Sequence, residues 1–144
     1  MNLTAAIYQR LAGDPELQQM LATYQGAPAV FTDDRLPGDE GGQPSPEFPY
    51  VWSHGEVANE PFDTKTSTGR TPTRDIVAYH SHRATSEVEA IAERVYSLFH
   101  RHRLTVDGFR TVTARASGPI RLSSDDYDAR IVTVRFRLTR SEES

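Results

Sequence analysis

The chain has 144 residues, 37% of them apolar and 25% charged, with a net charge of −4. A chain this long forms one domain, residues 1–144, and buries roughly two-thirds of its surface without needing a staple. It contains no cysteine, which excludes disulfide scaffolds, thiolate metal sites, redox motifs and cysteine nucleophiles. No apolar run approaches the ~18 residues of a membrane span, and no basic stretch leads into an apolar block at the start, so neither a membrane nor a signal peptide is expected.

The charge is uneven along the chain. Residues 1–72 hold four cations and ten acids, and residues 73–144 hold twelve cations and ten acids. Of the 16 cations, 15 are arginine and one is Lys65. Guanidinium makes planar, bidentate contacts and suits protein interfaces, although a GC-rich genome produces the same bias.

In chain order, Leu3, Ile7 and Leu11 recur every four residues and predict a first helix ending near Gly13. Asp14 as N-cap, Pro15 in the first turn and the apolar Leu17, Met20 and Leu21 predict a second, short helix closed by Gly26. Ala29 to Phe31 reads as a brief strand. The stretch from Leu36 to Glu47 holds three prolines and three glycines and carries no regular element.

The aromatic run Phe48-Pro49-Tyr50-Val51-Trp52 leads into a strand running toward Val57. Residues 59–72 hold one large apolar side chain, Phe62, and are expected to form a mobile hairpin arm protruding from the body. The next strand, Thr73 to His82, is apolar on both alternations, as an interior strand is. A helical stripe follows in Val88, Ile91, Ala92, Val95, Leu98, Phe99 and His102, with Ser86 and Glu89 spaced as a capping box.

Two strands close the pattern, roughly Arg110 to Ala116 and Arg130 to Thr139, joined through Pro119 and the acidic turn Ser124 to Asp128. In the second of them Val132, Val134, Phe136 and Leu138 point to one side, and Thr133, Arg135 and Arg137 to the other. Residues 140–144 are expected to be loose. The fold class is α+β: a mainly antiparallel sheet with helices packed on one face and a protruding β-hairpin arm.

Candidate chemistry is sparse. His80 and His82 on one strand face suggest a zinc pair, the basis of an alternative reading as a small metal-dependent hydrolase, but the remaining ligands are not visible. Asp125, Asp126 and Asp128 resemble a hard-cation clamp without the glycine and terminal glutamate of a calcium loop. No nucleophile elbow, phosphate loop or dinucleotide fingerprint occurs. No catalytic residue, metal or cofactor is expected, and the acidic balance argues against a nucleic-acid-binding module.

The run Phe48-Pro-Tyr-Val-Trp-Ser-His-Gly-Glu56, followed by Phe62-Asp-Thr-Lys-Thr66, the helix Glu89-Ala-Ile-Ala-Glu-Arg-Val95, and then Leu104 and Gly108, resembles the tail-completion, or tail terminator, family of tailed phages and gene transfer agents. The resemblance spans nearly the whole chain and departs at Asp125-Asp-Tyr-Asp128. It implies a structural virion protein that assembles in the bacterial cytoplasm and works at the head-tail junction. There a ring of copies, a homohexamer, caps the tail tube, stops its polymerisation and joins the head connector or stopper protein. Another ring of that junction, a stopper or adaptor, is the neighbouring possibility.

The partners so implied are further copies of the chain, the major tail tube protein and the connector, with no membrane. DNA passes through the lumen without specific binding, because six copies of a −4 chain carry −24. Phe62, Asp63, Thr64, Lys65, Thr66 and Arg70 on the arm, with Arg135 and Arg137 on the last strand, are the residues expected to meet the tail tube or a ring neighbour.

Overall fold

The structure, a computed structural model, describes residues 3–32, 45–63, 68–106 and 109–140. Most of the Pro- and Gly-rich stretch, the arm residues 64–67 and the terminal residues from 141 onward lie outside them. The two leading helices form as their patterns predict. In α1 (Leu3–Ala12), Leu3, Ile7 and Leu11 are fully buried. In α2 (Pro15–Met20), the Asp14 carboxylate accepts the Leu17 amide at 3.0 Å, satisfying one of the orphan N–H groups of the first turn.

Gly26 does not close α2, which stops at Met20 with Leu21 as its C-cap. Gln25 and Gly26, both at positive φ, instead form the two-residue turn between β1 (Thr23–Tyr24) and β2 (Ala27–Pro28). Their φ values of 51° and 84° are those of a tight hairpin turn.

The main sheet has five strands in the order β3-β4-β5-β7-β6. Its members are β3 (Val30–Phe31), β4 (Tyr50–Asp63), β5 (Thr68–His80), β6 (Phe109–Ser123) and β7 (Asp128–Arg140). All pairings are antiparallel except β3 with β4, where Val30 lies beside Val51 and Phe31 beside Trp52. Pro49 stands just before β4, where its missing N–H costs no ladder bond, and its carbonyl accepts the Ala22 amide at 3.0 Å.

The hairpin expected at 59–72 is the distal part of β4 and β5, paired from Asn59↔Pro72 to Asp63↔Thr68. The second strand is tied to β7 as far as Gly69↔Thr139, so the pair Asp63↔Thr68 lies past the last partner on β7. β5 ends at His80 instead of His82, which lies in the turn before the next helix.

The long helix α3 (Thr85–Phe99) buries Val88, Ile91, Ala92, Val95, Leu98 and Phe99. His102, expected on the same stripe, is exposed, because the helix stops at Phe99. The capping box is also absent. The N-cap is Ala84, with no side-chain cap bond, and Glu89 reaches across to Arg130 on β7 at 2.8 Å. Ser86 is already the second residue of the helix, so the Ser86–Glu89 spacing has no cap position to serve.

The three helices of the described residues lie on one sheet face, and Phe99 meets Phe136 edge-on at 6.0 Å between them. Asp14 ties α2 to α3 through a bidentate pair with Arg94, at 2.7 and 2.9 Å. The Arg94 guanidinium and the Leu17 amide hold the Asp14 carboxyl below its ordinary value of 3.8, against the opposing effect of burial. Arg130 bonds Asp128 at 2.6 Å, and the Thr85 hydroxyl donates to the same carboxylate at 3.0 Å. Burial works against the Arg130 charge, but Glu89 and Asp128 outweigh it and raise its pKa.

Candidate interaction surfaces

The helix-free sheet face is divided along the strands. At the end where β4 begins and β5 stops, it carries an aromatic cluster. Tyr50 stacks on Tyr79 at 5.1 Å between centroids, Tyr127 meets Tyr79 edge-on at 5.2 Å, and Phe31 meets Tyr50 at 5.8 Å. Sequence order does not predict this cluster, which register assembles: Tyr50 is opposite Tyr79, and Trp52 opposite Val77. Burial pushes the Tyr79 phenol up to about 12, with Tyr127 and Tyr50 adding to the shift.

His54 extends the cluster, stacked on Trp52 at 4.0 Å and 3.3 Å from the Tyr79 hydroxyl. Its burial lowers its pKa below 6.5, partly offset by Asp75. Phe48, Ile120 and Leu122 are the large apolar side chains most exposed near this end, Ile120 at 61%. The strand pairs Ile120↔Ile131 and Leu122↔Ala129 put the latter two on the helix-free face.

The other end of the same face is basic. Arg115 and Arg135 are direct cross-strand partners, and Arg137 is opposite Thr113. With Thr71 these residues line an open groove of about 250 Å³. Ala114 and Phe136 also border it, and their side chains are buried toward the helices, so the floor is peptide backbone. A second groove of about 300 Å³ shares Arg115 and runs to Arg101 and Arg103. These residues belong to the segment after α3, which seals part of the β6 edge through Arg101 N–H to Ala114 O at 2.9 Å and Leu104 N–H to Val112 O at 3.2 Å.

Of the site residues expected from sequence, Arg135 and Arg137 thus come together. Arg70 does not join them: it is opposite Leu138 and points to the other side of the sheet. Phe62 and Asp63 are placed by backbone pairing with Gly69 and Thr68, and Thr64, Lys65 and Thr66 lie outside the described residues. Arg115 is the member that sequence reasoning missed. The alternation Thr111, Thr113, Arg115 was visible, but its pairing with Arg135 is a matter of register.

The expected histidine pair is not formed on one strand face. His80 takes the Ser81 amide on Nδ1 at 2.7 Å and has Glu87 3.5 Å from Nε2, while His82 is exposed in the turn. The aspartate trio separates as well: Asp128 is buried on Arg130, whereas Asp125 and Asp126 are exposed. Among the described residues no group of three or more His, Asp or Glu side chains is arranged to hold a metal ion.

These features define a small α+β domain with an aromatic cluster and a group of arginines at opposite ends of one sheet face. A sequence profile described as "Tail completion protein gp17" matches residues 5–140. The chain belongs to that family, a family of phage tail-completion proteins.

Among solved structures, a chain from the "Virion of native gene transfer agent (GTA) particle" superposes with a TM-score of 0.69 at 23% identity, over 95% of this chain and 94% of its own. A second solved chain gives a TM-score of 0.62 at 12% identity, over 98% of this chain and 96% of its own. At these identities the likeness is one of fold. No curated protein matches the sequence.

Proposed function

We propose that this chain is a tail terminator, a non-enzymatic structural protein of the virion. Copies of it close into a ring, a homohexamer, at the head-tail junction, having been made in the bacterial cytoplasm. The ring caps the tail tube, stops its polymerisation and receives the head connector or stopper protein. The observation that carries this reading is the family match over residues 5–140, supported by the fold shared with a chain of a gene transfer agent particle.

In this reading the β4–β5 hairpin, whose strands pair past the last partner on β7 as far as Asp63↔Thr68, meets the terminal ring of the tube. Phe62, Asp63, Thr64, Lys65 and Thr66 supply its contacts, with Arg70 at its base. DNA crosses the lumen without specific binding, helped by the acidic balance of the assembled ring.

The test is to add purified protein to growing tail tubes and image them. Capped tubes of arrested length are expected. Replacing residues 63–68 with a two-residue Asn-Gly turn, which leaves Gly69 and Arg70 of β5 paired with β7, is expected to give a folded protein and uncapped tubes. Tubes that lengthen normally with wild-type protein present overturn the terminator reading. Binding to the connector alone, without arrest, identifies a stopper or adaptor instead.

A further inference from the structure

Pro72 breaks a rule of sheet construction. It is part of β5, which lies between β4 and β7, and an interior strand has no natural place for a residue that cannot donate to the ladder. The register shows where the missing N–H would have pointed. Val112 and Ala114 accept amides from outside the sheet, so the even residues in this part of β6 face outward and its odd residues bond β7. The even residues of β7 therefore bond β5, and Pro72 falls opposite Phe136, one step from Thr73↔Arg135. The Phe136 carbonyl gets no N–H from Pro72.

Among the described residues the β5–β7 ladder is blank at Thr71 and Pro72, then resumes for two pairs, Arg70↔Leu138 and Gly69↔Thr139. On the body side it runs unbroken from Thr73↔Arg135 to His80↔Asp128. Side chains reinforce that part: Arg74 Nη1 donates to the Thr4 hydroxyl of α1 at 3.0 Å, and the Thr133 hydroxyl donates to Asp75 at 2.7 Å.

β4 is interrupted at the same level. Between Ser53↔Ile76 and Ala58↔Thr73 it takes five residue steps against three on β5, through two register shifts. Such shifts bend a strand and break its pairing locally. Beyond them the pairing of β4 with β5 is continuous from Ala58↔Thr73 to Asp63↔Thr68. Both neighbours of β5 thus loosen around one level, and the hairpin beyond it is internally whole.

We propose that this level is a joint: the β4–β5 hairpin beyond Ala58 and Thr73 swings as a unit, leaving β7 at Gly69 and Arg70, and takes the released position when it engages the tail tube. The role at the tube rests on the terminator reading above, whereas the joint rests on the ladder alone. A tube favours release only by binding that position better, and a short, isolated stretch of ladder opens more readily than the continuous one behind it.

Amide exchange followed residue by residue separates a joint from a fraying end. Arg70 and Leu138 direct their N–H groups across the β5–β7 boundary, whereas Gly69 and Thr71 direct theirs at β4. A unit that swings exchanges Arg70 and Leu138 at least tenfold faster than Gly69 and Thr71. Pro72→Val, which gives the Phe136 carbonyl its donor, is expected to slow the fast pair at least tenfold. Equal rates for all four amides, fast or slow, overturn the joint, as does a folded Pro72→Val with unchanged rates.

A second variant, Gly69→Cys with Thr139→Cys, uses directly opposed positions in a chain with no cysteine, so oxidation closes one defined clasp. Thermal melts and mass measurement check that it folds and crosslinks. Added to growing tubes, the reduced form is expected to cap them, and the oxidised form to leave at least tenfold more of them uncapped. Oxidised protein that caps as well as reduced protein overturns release at the tube. A wild type that caps no tubes fails the terminator reading instead, and the exchange pattern then decides the joint by itself.

Discussion

Arg115 on β6 and Arg135 on β7 are directly opposite each other on the helix-free sheet face, with no acidic residue between them in the register. Like charges so placed destabilise an antiparallel pair by about 0.2–1 kcal/mol. Arg135→Thr is expected to raise the unfolding free energy of the monomeric chain by about that amount. The gain should shrink at high salt, where the repulsion is screened. Urea melts at two ionic strengths measure it, and a loss of stability at low salt would contradict the repulsion.

Asp14 both caps α2 and holds Arg94. Asp14→Ala is expected to cost about 1–2 kcal/mol through the lost cap, with the severed ion pair adding to it. Because the folded-state pKa of Asp14 lies below 3.8, its contribution is fully present above that value and is lost as the pH falls through the folded pKa. Denaturation followed from neutral to acid pH should show the wild-type advantage over the variant disappearing only below the ordinary carboxylate value.

His54 gives a pH dependence in a higher range. Burial against Trp52 favours its neutral form, so below 6.5 the unfolded chain takes up a proton that the folded chain refuses. Stability therefore falls as the pH drops from 6.5 toward the folded-state value. His54→Phe is expected to flatten that part of the profile while keeping the stack. Trp52 is the chain's one tryptophan, so its fluorescence reports the same titration.

Gly118 interrupts β6 at a register shift between Ser117 and Ile120, with φ at +97°. A Cβ there meets the Ile131 carbonyl oxygen at 2.7 Å. Gly118→Ala is expected to destabilise by about 1–3 kcal/mol, read as a drop in melting temperature. An unchanged melting temperature would mean that the bulge relaxes freely.

Strong local periodicity made much of this fold legible. The alternation of Val132, Val134, Phe136 and Leu138 against Arg135 and Arg137 reads directly from β7, and the stripe from Val88 to Phe99 reads directly from α3. What failed depended on distant partners. Ser86 and Glu89 have capping-box spacing, but Ser86 is already inside the helix and Glu89 bonds Arg130, 41 residues away. The parallel run of β3 beside β4 has no local signal, because it is fixed by the tie from Ala22 to Pro49 and by Val30 packing beside Val51.

The candidate surfaces divide in the same way. Arg135 and Arg137 are legible from one strand's alternation, whereas the Arg115 partnership and the contacts of Tyr79 with Tyr50 and Tyr127 depend on inter-strand register. Arg70 is on the opposite sheet face from Arg135 and Arg137, since it pairs with Leu138 and one step along a strand reverses the face to which a side chain points.

The placement of β7 between β5 and β6 bears on manufacture. It follows every other strand in the sequence yet lies in the sheet interior, where it supplies Val132, Val134, Phe136 and Leu138 to the core. A nascent polypeptide halted before Asp128 leaves β5 and β6 without their shared neighbour and the helices without Val132, Val134, Phe136 and Leu138. The sheet therefore cannot close until residues 128–140 have been made, so a chain truncated before Asp128 is expected to stay unfolded.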